Sequence, residues 1–426
     1  MQELSESTKK LISRYNLWQR SLKQKDVPTI HVDEVAQKVA AFYEQIRTII
    51  DWKEEHLMRR AAIIRNLKRR FLDLELNNFS STENIAEPLV IELIRGGYFP
   101  NDRIEESKII DVKNIINKYV FIFKNSPENK KGKNGLNFYT SILEIAACEI
   151  EEALAPSIKE MALIDYMFVL MRERIKVHES IYTKNLLQKE HTDIQIYIAV
   201  QQSLFKLDSP IISYNLIKYK YPFWDSPSEE ELLKISQNIY KILKTIEQDI
   251  NHPLARKFYT ICEKYDTPYL ILGDILATSE PETIEEQLKD PATLEKLIKE
   301  NYAKRLLDLK AKIKRAATYS TASIFITKIL SLLILQIILI KIFGGHLNPL
   351  SFLADIAIPT LLMAGLVITI SPPSSKNLHI AVLETVKIVY KKDKLDIYEI
   401  KLRKKRGFLT RFFLSLIYLM GAVITF

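Results

Sequence analysis

Residues 322–343 (ASIFITKILSLLILQIILIKIF) and 350–370 (LSFLADIAIPTLLMAGLVITI) are two long apolar runs split by a short neutral turn, GGHLNP. Each approaches the roughly 20 helical residues that cross a hydrocarbon layer. Water accommodates such stretches poorly, so the pair predicts a transmembrane helical hairpin. A third run, FFLSLIYLMGAVITF, occupies residues 412–426. As a helix it is about 22 Å long, short for a full crossing. Two readings stay open: Arg411 snorkels and the helix barely spans, or the protein continues into further spans beyond Phe426.

Basic residues orient the hairpin. Lys304, Arg305, Lys310, Lys312, Lys314 and Arg315 precede the first run, whereas the turn carries no Lys or Arg. Residues 376–411 hold eight Lys and three Arg against four acids, a net of +7 out of +9 for the chain, with Arg403, Lys404, Lys405 and Arg406 closest to the third run. The positive-inside rule then puts the N-terminal part and the basic segment in the cytoplasm, the turn outside, and the third span heading out. The first residues, MQELSESTKKLISRYNLWQRSLKQKD, lack the apolar core and cleavage site of a secretory signal. Two distant cysteines, Cys148 and Cys262, suggest neither a disulfide framework nor a zinc module.

Before the membrane part, apolar residues recur at helical spacing, and only ten glycines serve 426 residues, too few for a sheet-rich chain. The predicted fold is all-α: a large irregular helical cytoplasmic domain, a transmembrane hairpin, a small basic α/β insert and a third span. Boundaries fall at 1–125 and 137–309 for two helical subdomains, 310–371 for the membrane-entry helix and hairpin, 372–407 for the insert and 408–426 for the last span. The loop 124–137 separates the subdomains. Residues 208–228 (DSPIISYNLIKYKYPFWDSPS), rich in Tyr, Phe and Pro, are expected to be partly extended, as an aromatic strap. Asp290-Pro291 is a good helix start, and no Pro or Gly follows before Gly344. One helix of about 80 Å is therefore expected to run from Pro291 through the bilayer.

Three groups of residues invite a functional reading. Arg59, Arg60, Arg65, Lys68, Arg69 and Arg70 form an acid-free basic stretch beside an apolar stripe, suited to anionic lipid headgroups. The plainer reading is a solvated helix face paired with nearby acids such as Glu55 and Asp73, and it is favoured. Nucleic acid ranks below lipid for a tethered domain. Lys341 and Asp355 lie at similar depth on neighbouring spans and are expected to touch, because a lone carboxylate in hydrocarbon is costly. A structural pin is favoured over a proton or ion relay, although Pro359 loosens the helix one turn away. Finally, Glu144, Cys148, Glu149, Glu151 and Glu152 crowd one helix, but no Glu-x-x-His repeat accompanies them, so structural roles are expected.

No phosphate-binding glycine loop, nucleophile elbow or HExxH motif is present in the sequence, and no cofactor or metal is predicted. The stretches ELIRGGYFPND, AACEIEEAL, INHPLARKF, SIFITK and IPTLLMAGLVITISPPSSKN resemble a set of uncharacterised multi-pass membrane proteins from small-genome bacteria. That resemblance implies a helical cytoplasmic domain before a hairpin, a bacterial inner-membrane address and a pattern continuing past Phe426, and brings no activity with it. The expected role is a membrane-anchored scaffold or interaction module with unknown protein partners. A transporter or channel component using Asp355 and Lys341 is the alternative, and a lipid-acting enzyme is third.

Overall fold

The computed structural model describes residues 2–22, 27–32, 52–76, 85–127, 133–343, 349–369, 376–390 and 396–401. Sixteen helices and two three-residue strands occur among them. The chain is therefore mostly helical, as scarce glycine and the 3.6-residue spacing predict. Most of the turn between the apolar runs, the basic run Arg403, Lys404, Lys405 and Arg406, and the third span lie outside the described residues. The chain divides into two compact units, residues 1–16 with 267–392 and residues 17–266 with 393–426.

The larger unit is a stack of helices: α2 (Trp52–Leu76), α3 (Ala86–Arg95), α4 (Lys108–Asn125), α5 (Lys133–Leu154), α6 (Ile158–Arg174), α7 (Glu179–Thr183), α8 (His191–Phe205), α9 (Ser209–Lys220), α10 (Glu229–Ile250) and α11 (Ala255–Lys264). Helix α5 packs against α2, α4 and α9. Its middle is buried almost all round, from Ile142 through Ile150, as a helix apolar on every side must be. Helix α8 takes the same role against α6, α10 and α11, with Ile194 to Gln201 buried. Strand β1 (Ile175–Val177) pairs in parallel with β2 (Tyr398–Ile400), Lys176 opposite Glu399. Tyr265 stacks on Tyr398 with centroids 4.2 Å apart.

Residues 208–228 correct one expectation. They are not a strap: α9 is regular helix from Ser209 to Lys220, and only the turn after it, which buries Trp224, is irregular. Asp208 at the N-cap position and Pro210 in the first turn start the helix. Ile211, Ile212, Tyr214, Asn215, Leu216 and Ile217 are then buried around most of its circumference. That burial outweighs the weak helix propensity of the β-branched and aromatic residues. The following helix, α10, starts as its sequence indicates, with a capping box in which Ser228 Oγ accepts from the Glu231 N–H at 3.3 Å and Glu231 Oε2 accepts from the Ser228 N–H at 2.8 Å.

The smaller unit is built around the longest helix. Residues 6–16 of α1 (Glu6–Ser21) join α12 (Asp266–Thr278), α13 (Ile284–Lys289), α14 (Pro291–Phe343), α15 (Pro349–Ile368) and α16 (Lys376–Val389). Leu4, Leu11, Ile12 and Tyr15 are buried, Thr8 Oγ1 donates to the Val389 carbonyl at 2.9 Å, and Tyr390 Oη donates to the Leu288 carbonyl at 2.8 Å. Asp290 caps α14 by accepting from the Thr293 N–H at 3.0 Å, and the Thr293 hydroxyl bond holds its carboxyl below the usual range. The 53 residues of α14 carry no break, giving a rod of about 80 Å. Both α15 and α16 pack on it.

Candidate functional site

Along α14 the environment changes. Leu294 and Ile298 are fully buried at its base, and Arg305 Nη2 ties the next turn to Asp274 at 2.9 Å. Past that point Lys310, Lys312, Lys314 and Arg315 are exposed. The apolar segment that follows stays outside any core: Ile326, Leu330, Ile334 and Ile338 are each about half exposed. Among the described residues this is the one helix long and apolar enough to cross a membrane, and none of its most apolar window is buried. Leu353, Leu361, Leu362 and Leu366 on α15 are more exposed still. Contiguous exposed apolar surface of this kind is rare on a soluble monomer.

Asp355 is exposed on α15. The side chain of Lys341, its expected partner, lies outside the described residues. Pro359 sits inside the same helix, and the Thr360 hydroxyl donates to the Ile356 carbonyl at 2.8 Å.

The basic stretch on α2 is split by the fold. Arg60 turns inward and grips both carboxylate oxygens of Asp208. Burial disfavours its charge, but the bonds to Asp208 raise its pKa overall. Arg59 pairs with Glu55, donates to the Tyr98 carbonyl at 3.1 Å and lies over the Phe99 ring. Arg69 and Arg70 share Glu92, at 2.7 and 3.2 Å, and Arg65 donates to the Tyr98 hydroxyl at 3.1 Å. Arg65, Lys68 and Arg69 remain exposed. Among the described side chains, pairing within α2 accounts for the Glu55 contact, and the other acids come from α3, from α5 and from the residue before α9.

The carboxylates of α5 serve different neighbours, because successive residues are turned about 100° from one another around a helix. Glu151 faces α2, where it contacts His56 and lies 3.8 Å from Arg59; burial pushes its carboxyl up. Glu149 is buried and fully engaged: it pairs with Lys118, accepts from Tyr119 Oη at 2.8 Å and from Trp224 Nε1 at 3.0 Å. Glu152 faces α9, accepting from Tyr214 Oη at 2.6 Å and Lys218 Nζ at 3.0 Å. Glu144 lines a separate open cavity of about 620 Å³ with Phe138, Tyr240 and Lys244, and burial raises its pKa.

Burial pushes the Cys148 thiol far up and Cys262 to about 12, so neither is a thiolate at neutral pH. Among the described residues no three His, Cys, Asp or Glu side chains are grouped to hold a metal ion. Lys118, Tyr119, Tyr214, Lys218 and Trp224 escaped the sequence reading. The glutamates they meet, Glu149 and Glu152, lie 30 to 75 residues away with no shared motif.

No family model, curated protein or solved structure matches the chain.

Proposed function

We propose that the protein is an integral membrane protein in which α14 and α15 form a transmembrane hairpin and the helical units form a cytoplasmic interaction module. The observation that supports this reading is the abrupt change along α14: two fully buried residues, Leu294 and Ile298, at its base, a basic exposed stretch, then apolar side chains that stay about half exposed among the described residues. Lipid is the solvent that such surface requires, and Lys312, Lys314 and Arg315 match the cytoplasmic flank of a span. Contact with anionic lipid headgroups through Arg65, Lys68 and Arg69 draws on their exposure. The module reading draws on Tyr219 and Phe223, large side chains left 42% and 38% exposed on the larger unit. Carbonate extraction of membranes tests the anchor. The protein is expected in the pellet and is released by detergent alone; recovery in the carbonate supernatant rejects it.

A second reading, a transporter or channel component, draws on Asp355. This carboxylate is exposed on α15 one turn before Pro359, and in hydrocarbon it would need a partner from another helix. Replacing it with Asn should then abolish a proton-coupled flux in proteoliposomes while assembly persists.

A further inference from the structure

The larger unit contains an open cleft of about 770 Å³ between α4, α5, α9 and the turn at 225–227. It lies within that unit and draws nothing from the membrane reading. Its floor is the buried Lys118–Glu149 pair, whose groups are engaged with each other and with Tyr119 and Trp224. Its wall is different. The Lys218 ammonium sits 3.0 Å from Glu152 Oε2, 3.6 Å from Asp225 Oδ2 and 5.4 Å from the centre of the Tyr214 ring. Two carboxylates and an aromatic face are the elements that recognise an ammonium group.

The two carboxylates are only half used. Among the described residues, Glu152 Oε1 and the second oxygen of Asp225 accept no bond, and Asp225 is 61% exposed. Four carboxylates line the cleft (Asp111, Glu149, Glu152 and Asp225) against two ammonium groups (Lys118 and Lys218), a difference of −2. An anion is therefore repelled. Asn114 and Asn117, one turn apart on α4, line the same cleft and are exposed. Each offers both a donor and an acceptor to an uncharged polar group.

We propose that this cleft binds a ligand carrying a primary ammonium group, held by Glu152 and Asp225 at the place Lys218 now occupies, with Asn114 and Asn117 binding its uncharged polar part. Lys218 is then an internal placeholder that the ligand displaces. The same chemistry is offered by a free diamine and by a lysine side chain in a peptide, and the two are separable by experiment.

Calorimetric titration of the detergent-solubilised full chain with 1,5-diaminopentane, and separately with the tripeptide acetyl-Gly-Lys-Gly-amide, tests the cleft. Saturable binding of either probe is expected, and the stronger one identifies the source; acetylating the lysine should abolish peptide binding. Asp225→Asn should weaken binding about tenfold, as loss of one charge-assisted bond does. Lys218→Met should tighten it, because the internal competitor is gone, an effect that a merely structural lysine would not produce. Saturation by neither probe, weaker binding in Lys218→Met, or affinity unchanged in Asp225→Asn each overturns the proposal. Asp225 touches Lys218 alone among the described residues, so loss of the fold is not expected to obscure that variant.

Discussion

Arg60 and Asp208 meet in a two-pronged ion pair across 148 residues of chain, with Arg60 Nη1 2.8 Å from Asp208 Oδ1. The pair joins α2 to the N-cap of α9. Its arginine side chain is 7% exposed and its aspartate 30%.

Removing one member of that pair leaves the other largely desolvated. Asp208→Asn and Arg60→Ala are each expected to cost about 2–4 kcal/mol, the lower end reflecting the partial exposure of Asp208. Lys68→Ala, on the exposed side of the same helix, should change stability by less than about 0.5 kcal/mol. Denaturant unfolding of the purified protein, followed by tryptophan fluorescence, compares them; equal effects at positions 60 and 68 would contradict the burial.

Glu160 provides a pH test. It is 6% exposed, and burial raises its carboxyl pKa although Lys159 at 3.6 Å opposes the shift. A raised carboxyl means that the folded state binds the proton more tightly than the unfolded chain. Its favourable contribution is present below the unfolded value of 4.5 and lost as pH rises through the folded value. Glu160→Gln removes this titration, so its stability relative to the parent should improve from pH 4 to pH 7. A gain independent of pH would show that the charge is not the cause.

The register of the two short strands is checked by cross-linking. With Lys176 opposite Glu399, cysteines placed at these two positions should form a disulfide under mild oxidation. Cysteines at 176 and 400 should do so far less well. The native thiols, Cys148 and Cys262, are buried and should not compete.

Two substitutions separate the base of α14 from its apolar end. Ile298→Ala opens space at a fully buried position and should cost about 2–5 kcal/mol of stability, while the protein stays in the membrane fraction. Leu330→Arg lies at a half-exposed position. It should instead lower the carbonate-resistant fraction, by a penalty of about 2.5–3.5 kcal/mol near a helix centre. Identical behaviour of both variants would count against lipid as the surroundings of residue 330.

Legibility followed the range of the interactions. Asp290 and Pro291 start α14, and Ser228 with Glu231 starts α10, through contacts spanning three residues, and both are plain in the sequence. Helix α9 was misread because IISYNLIKYKY has the composition of a strand, whereas its burial by α5 and α10 is a tertiary effect. The charge run on α2 suggested i,i+4 pairing, yet its strongest partner is Asp208. For Glu149, nothing local indicates that Lys118, Tyr119 and Trp224 converge on it.

Because α14 has no Pro, Gly or irregular turn between its capped base and residue 343, it behaves as a shaft in which angular position is inherited from one end to the other. Insertion of a single residue near position 312 would advance the far end by only about 1.5 Å but swing it through about 100°. Four inserted residues would return it almost to its starting azimuth. Activity or assembly that vanishes with one added residue and revives with four would reveal that the protein works by torque carried along this axis.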